Sequence, residues 1–127
     1  MQLLDLLLAA MNAVRADCSD LRGVVLATPE GLVLAACGSL QGEVAAAMAS
    51  GLAGLLDHHL QLLASPSITD AIFWTADAQW GLVRLDSQHV ALAQAEPRIS
   101  TGTLRLVLAR LRRDLGRELL RGEEGAG

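Results

Sequence analysis

The sequence predicts an α+β layer sandwich, and three observations support this class. Apolar residues at helical spacing mark one segment near each end of the chain and a third near its middle. Short apolar runs separated by turn residues lie between these helices, two before the central helix and three after it. No internal repeat or long linker interrupts this α-β-β-α-β-β-β-α order. We therefore predict one domain over residues 1–121 and a disordered Gly/Glu tail over 122–127.

Each predicted element has a local signal. Leucines and a methionine recur at helical spacing from Leu3 and mark the first helix. The turn Pro29-Glu30-Gly31 joins two branched apolar runs, which predicts a β-hairpin. Pro66 ends the central helix, and Ser100 or Thr101 can cap the last one. The predicted helices are 2–16, 43–64 and 100–121, and the strands are 21–28, 32–37, 67–75, 79–86 and 89–95.

The composition excludes several classes of function. The 127 residues carry a formal net charge of −4, and all ten cationic side chains are arginine. Without lysine the chain can form neither a Walker A phosphate site nor a Schiff base. The acidic balance and the absence of tyrosine argue against a nucleic-acid partner. No apolar run reaches the roughly 18 residues of a membrane span.

The reactive residue types suggest no catalysis. Cys18 and Cys37 have no metal-ligand spacing and suit a reducing environment, so we expect a cytoplasmic protein. The arginine-rich, lysine-free composition is typical of a GC-rich genome and indicates a bacterial source. Neither a carboxylate pair nor a Cys–His pair is favoured by its spacing. We predict that the chain is not an enzyme and has no catalytic residue, metal or cofactor.

The central helix has an unusual pattern. Its large apolar residues share one side, which we expect to face the sheet; they are Val44, Met48, Leu52, Leu55, Leu62 and Leu63. The opposite side, usually charged, carries small residues instead, and Gly51 and Gly54 each cost a helix about 1 kcal/mol relative to alanine. Either alanine is present only as a good helix former, or this side packs on another protein. The second hypothesis predicts a homodimer, because a two-fold axis would pair the helix with its own copy.

Three further segments leave alternatives open. The strand at 67–75 is rich in apolar residues and is either a sheet edge covered by a second copy or an interior strand. His58 is a candidate interface residue, whereas His59 falls on the large apolar side and is expected to be buried. The last helix carries a basic stripe, which is either a solvated face or a surface for an acidic partner or anionic lipid. The stripe comprises Arg110, Arg113, Arg117 and Arg121.

In this order the segments resemble the Roadblock family, the dynein light-chain and bacterial GTPase-regulator group, over about residues 3–120. The first hairpin is similar in Leu21–Ala27 and Glu30–Ala35, with Gly31 at the turn. The other similar stretches are Glu43–Ala47 at the start of the central helix, Trp80–Leu85 and Val90–Ala93 in later strands, and Ser100–Arg105 at the entry to the last helix.

The resemblance implies an antiparallel five-stranded sheet with the central helix on one face and the terminal helices on the other. It also implies homodimers built on the central helix and the following strand, and no catalysis by the chain itself. Many members bind Ras-like small GTPases. The bacterial Mgl-type members are GTPase-activating proteins that act as dimers on one GTPase, through the central-helix side and without an arginine finger.

The function implied by the resemblance is a dimeric GTPase-activating or GTPase-binding regulator. A non-catalytic scaffold or light-chain-type adaptor subunit is the alternative, and a small-ligand sensor is a third reading. The candidate dimer or partner interface comprises Ala46, Ala47, Ser50, Ala53, Gly54, Asp57, His58, Ile72 and Trp74.

Overall fold

Eight elements follow one another in the predicted order in the computed structural model, which describes residues 2–126. The helices are α1 (Leu3–Asp17), α2 (Gly42–Leu62) and α3 (Thr101–Ala126). The strands are β1 (Leu21–Ala27), β2 (Val33–Gly38), β3 (Asp70–Thr75), β4 (Ala78–Asp86) and β5 (His89–Ala95). The predicted α+β class is confirmed.

The five strands form one antiparallel sheet in the order β2-β1-β5-β4-β3. The predicted hairpin joins β1 to β2, and Gly31 in its turn has a φ of 86°, which glycine adopts without steric cost. The last strand, β5, lies at the centre between β1 and β4. The hairpin edge is therefore β2, and the opposite edge is β3.

The helices lie on the two faces of the sheet as the resemblance implies. α1 and α3 pack together on one face, with Leu7, Met11, Leu104 and Leu111 fully buried between them and the strands. Gly81 of β4 makes room for this layer, because a Cβ there would lie 2.8 Å from the Leu108 side chain. Of the three helices, α2 alone lies on the other face, which it covers in part.

The last helix starts as predicted and ends later. The Ser100 hydroxyl accepts a 3.0 Å hydrogen bond from the Thr103 backbone N–H and so caps α3. The helix continues to Ala126 and not to about Arg121. Gly122 packs beside the Leu3 side chain of α1, which supports the extra turn. Gly127 lies outside the described residues.

Candidate interaction surface

The residues of α2 that are fully buried against the sheet are all alanines. The buried residues are Ala45, Ala46, Ala49 and Ala53. The helix runs close to the β1–β2 turn, where a Cβ built on Gly31 would lie 3.5 Å from the Ala47 Cα. A Cβ on Gly42, at the start of α2, would lie 3.2 Å from the Ala36 Cβ of β2. Small side chains therefore face the sheet because the helix approaches it too closely for large ones.

The large apolar residues of α2 point away from the sheet, which is the reverse of the prediction. Val44, Leu55 and Leu62 are 61%, 57% and 71% exposed, and Met48 and Leu63 are also exposed. Leu52 alone of the predicted set is half-buried. The prediction chose the wrong buried side because it relied on side-chain size. Size alone takes no account of how close the helix lies to the strands.

The structure divides the predicted small-residue surface. Ala46 and Ala53, with 0% and 4% exposure, lie beneath α2 and cannot contact a partner, so their assignment to an interface is wrong. Ala47, Gly54 and His58 are exposed. By helical spacing they lie on the solvent side among the large apolar residues.

Of the other four predicted residues, Ser50 and Asp57 line one cleft, whereas Ile72 and Trp74 lie on β3. Ile72 is half-buried and packs on the core beneath α1 and α3, on the sheet face opposite α2. Trp74 is 60% exposed near the end of β3. Ser50 and Asp57 are half-buried along one flank of α2. The structure thus brings Ala47, Gly54 and His58 together and separates Ile72 from them.

α2 leaves part of its own sheet face uncovered. It packs mainly on β1, β2 and β5, so the same face of β3 and β4 extends beyond the helix. Phe73 of β3 and Trp80 of β4 lie on this part as a cross-strand pair, with ring centroids 6.0 Å apart and ring planes 3° from parallel. Both rings remain partly exposed. A small apolar groove lies between Trp80 and the Val44 and Met48 side chains of α2.

The adjoining edge of the sheet is also open. In residues 2–126 β3 pairs with β4 alone, so the backbone groups on its outer edge have no strand partner. The strand has no proline, lysine or bulge, which are the usual means of keeping an edge from pairing. This resolves the alternative left open above in favour of an edge strand.

We call this continuous region the α2–β3 surface. It comprises the solvent side of α2 (Val44, Ala47, Met48, Gly51, Gly54, Leu55, His58 and Leu62), Phe73 and Trp80, and the outer edge of β3. Exposed large apolar residues grouped in this way mark sites of protein association. The signal that could have identified it was the alanine repeat at 45, 46, 49 and 53, which by itself forms a complete buried stripe.

A polar cleft of about 260 Å³ lies on the other flank of α2, lined partly by Ser50, Gly54 and Asp57 and by His89 at the start of β5. The Asp57 carboxylate accepts a 2.8 Å hydrogen bond from the Ile68 backbone N–H and pairs with Arg84 of β4. Because these groups hold the chain at Ile68, β3 begins at Asp70 and not at residue 67.

The histidines of α2 differ from the prediction in one respect. His59 is exposed and not buried, and its Nδ1 lies 2.9 Å from the Leu55 carbonyl oxygen, which can only accept a hydrogen bond. The rings of His58 and His59 meet edge to face with centroids 5.4 Å apart. Their geometry suits a surface pair that a partner could contact.

Other kinds of site find little support in the described part of the chain. Among the side chains of residues 2–122 no three His, Cys, Asp or Glu groups converge as a metal site would require. Burial raises the pKa of the Cys37 thiol, which disfavours the reactive thiolate at neutral pH. No described helix combines the length and apolar character needed to cross a membrane.

Comparison with known proteins gives matches in structure but not in sequence. No family model and no curated protein matches the chain. MglB of Myxococcus xanthus superposes with a TM-score of 0.84 and 16% identity, over 93% of this chain and 90% of that one. A structure of MglB in a tetrameric arrangement superposes with a TM-score of 0.83 and 13% identity, over 94% of this chain and 92% of that one. A Roadblock/LC7 domain from Streptomyces avermitilis superposes with a TM-score of 0.80 and 17% identity, over 88% of this chain and 96% of that one. These likenesses show that the chain has the Roadblock fold, in the form shared by MglB and the Roadblock/LC7 domains.

Proposed function

We propose that the chain is a homodimeric regulator of a Ras-like small GTPase and acts in the cytoplasm. The observation that carries this proposal is the α2–β3 surface, an exposed apolar helix side beside an unpaired strand edge. The likeness to MglB structures, one of them in a tetrameric arrangement, supports it. So does the sequence resemblance to Mgl-type members, which as dimers accelerate GTP hydrolysis.

In the proposed dimer β3 pairs with β3 of a second copy, which joins the two sheets into one. The two α2 helices then meet above the joined sheet, where their apolar sides bury each other. Phe73 and Trp80 of both copies are covered by the same contact. Gly51 and Gly54 suit this arrangement. A Cβ on either would have no neighbour within 4 Å in a single copy, so nothing within one chain requires glycine there. Because they lack a side chain, a second helix can approach closely.

The pairing of β3 with its own copy has a restricted register. Directly opposed residues of an antiparallel pair point to the same face of a sheet. A two-fold axis perpendicular to the sheet places both α2 helices on the same face. Because neighbouring residues of a strand point to opposite faces, such an axis has to pair one residue with its own copy and cannot lie between two residue positions. Ile72 opposite its own copy, or Phe73 opposite its own copy, are the central choices within Asp70–Thr75.

The α2 side of the dimer would act on the GTPase without donating an arginine. α2 contains no arginine, and its only basic side chains are His58 and His59. Stimulation would therefore come from ordering the catalytic groups of the GTPase itself. A coupling free energy of about 1–3 kcal/mol suffices to shift such a loop equilibrium by about 5- to 150-fold.

The test measures phosphate release by purified Ras-like GTPases from the same organism, with and without this protein. We expect one of them to hydrolyse GTP about 5- to 150-fold faster. Leu55→Arg, on the α2–β3 surface, should abolish the effect. Leu106→Arg is the matched control, because Leu106 is also an exposed leucine but lies on α3, and this variant should retain the effect. Absence of stimulation and of binding with every GTPase tested would contradict the proposal.

An adaptor subunit is the second candidate, favoured by the comparable likeness to a Roadblock/LC7 domain. An adaptor would use the same surface to join a larger complex and would leave the rate of hydrolysis unchanged. An adaptor should co-elute with a GTPase or another protein and leave phosphate release unchanged. Loss of this co-elution in Leu55→Arg would decide for this function.

A further inference from the structure

Most arginines of the chain are neutralised by neighbouring carboxylates. Counting only carboxylates of the described side chains, six of the ten lie within 4 Å of one, in pairs such as Arg22–Glu96 and Arg98–Asp20. The basic stripe predicted on α3 is largely paired in this way: Arg110 contacts Asp17 and Asp114, Arg113 contacts Asp114, and Arg121 contacts Glu118. The predicted stripe is therefore a poor surface for an acidic partner.

Two of the arginines without such a partner line one cleft. Among the side chains described, which span residues 2–122, neither Arg105 nor Arg112 has a carboxylate within 4 Å. They lie seven residues apart on the same side of α3 and border a cleft of about 240 Å³. Both residues are exposed, so their guanidinium groups are accessible to a binding partner.

The rest of the cleft determines what it can hold. Val83, Leu108 and Ala109 contribute apolar surface, with Val83 and Leu108 buried beneath. Asp70, at the start of the edge strand β3, forms the remaining wall and accepts a 2.9 Å hydrogen bond from the Thr69 hydroxyl. Two guanidinium groups against one carboxylate leave a net positive charge. The net positive charge attracts anions, and the apolar lining favours an anion that carries methylene groups over inorganic phosphate.

We propose that this cleft binds an acidic segment of a partner protein, with a carboxylate between Arg105 and Arg112. The apolar surface accommodates the methylene groups of a glutamate or a neighbouring aliphatic side chain. A concave site between a helix and a strand edge fits a peptide better than a flat lipid surface. The cleft lies on the α3 face of the sheet, opposite α2, so this contact is made on the other side of the sheet from the proposed GTPase surface; the two share only strand β3, to which Asp70 belongs.

The experiment measures binding of a fluorescent acidic peptide of alternating glutamate and leucine by anisotropy at low ionic strength. Arg105→Gln and Arg112→Gln should each weaken binding roughly threefold to fivefold. Asp70→Asn should strengthen it by a similar factor, because the variant removes the repulsive carboxylate. Arg117→Gln is the matched control, an exposed arginine of α3 that does not line the cleft, and it should bind like the unmodified protein.

Arg117→Gln changes the net charge by the same amount as Arg105→Gln and Arg112→Gln, so unchanged binding in this control separates a binding site from a general effect of net charge. An equal loss in Arg117→Gln, no loss in Arg105→Gln and Arg112→Gln, or no binding by the unmodified protein would overturn the proposal. Tighter binding to phosphatidylserine vesicles or to inorganic phosphate than to the peptide would also overturn it. Circular dichroism of every variant confirms that the fold is intact.

Discussion

Asp57 of α2 and Arg84 of β4 form an ion pair that joins the helix to the sheet, and both also bind the backbone of Ile68. The carboxylate accepts the Ile68 N–H, and the Arg84 Nε donates to the Ile68 carbonyl at 3.2 Å. Both side chains are largely shielded from solvent, with 27% and 23% exposure. This arrangement fixes the connection between α2 and β3 and therefore the relative position of the two parts of the α2–β3 surface.

We predict that Asp57→Ala destabilises the fold by about 1–3 kcal/mol, because it leaves the Ile68 N–H and the Arg84 guanidinium without their acceptor. Asp57→Asn should cost less, since an amide oxygen can still accept the Ile68 hydrogen bond. Urea unfolding followed by circular dichroism measures both. Asp20→Asn, which breaks the more exposed pair with Arg98, is the control and should have a smaller effect. Equal effects of all three substitutions would contradict this role of Asp57.

We predict that Gly51→Ala weakens self-association although it strengthens the helix. A Cβ at Gly51 meets no atom within 4 Å in one copy, so alanine should stabilise α2 by about 0.5–1 kcal/mol. In the proposed dimer the same methyl group would separate the two helices. Analytical ultracentrifugation should show a raised dissociation constant. Gly116→Ala on α3 has equally free space and should leave association unchanged; an identical dimer in both variants would refute close contact at Gly51.

We predict that cysteine substitution in β3 gives a disulfide between copies at one central position only. With Cys18 and Cys37 replaced by serine, a single cysteine at position 72 or 73 should cross-link efficiently, because two copies of the residue on the axis lie within the disulfide range of about 4.4–6.8 Å between Cα atoms. Non-reducing electrophoresis after mild oxidation measures the yield. A mixture of Ile72→Cys and Phe73→Cys chains that cross-links better than either alone would place the axis between residues and exclude this dimer.

Much of the architecture could be predicted from the sequence, because it depends on periodicity and turn chemistry. The short apolar runs at β4 and β5, the Pro29-Glu30-Gly31 turn and the Ser100 cap predicted elements that the structure confirms within a few residues. These signals are local, and no distant residue is needed to interpret them.

The same local signals could not predict which side of α2 faces the sheet. Both sides of this helix are apolar, so the choice depends on the distance between helix and sheet, which is a property of the assembled fold. Ala46 and Leu55 were consequently assigned to the wrong sides. The cleft at Arg105 and Arg112 was missed for a related reason: it depends on which carboxylates lie nearby in space, and several of those, such as Asp17 beside Arg110, are far away in sequence.

Because α2 covers its sheet face only in part, dimerisation would affect the abundance of the protein in the cell. If a second copy completes the layer over Phe73 and Trp80, the stability of each chain rises with the total concentration of the protein. A chain made in excess of its partner exposes this apolar surface and is the form that proteases and chaperones encounter. The abundance of the protein would then be controlled by its own assembly, with unpaired copies removed first.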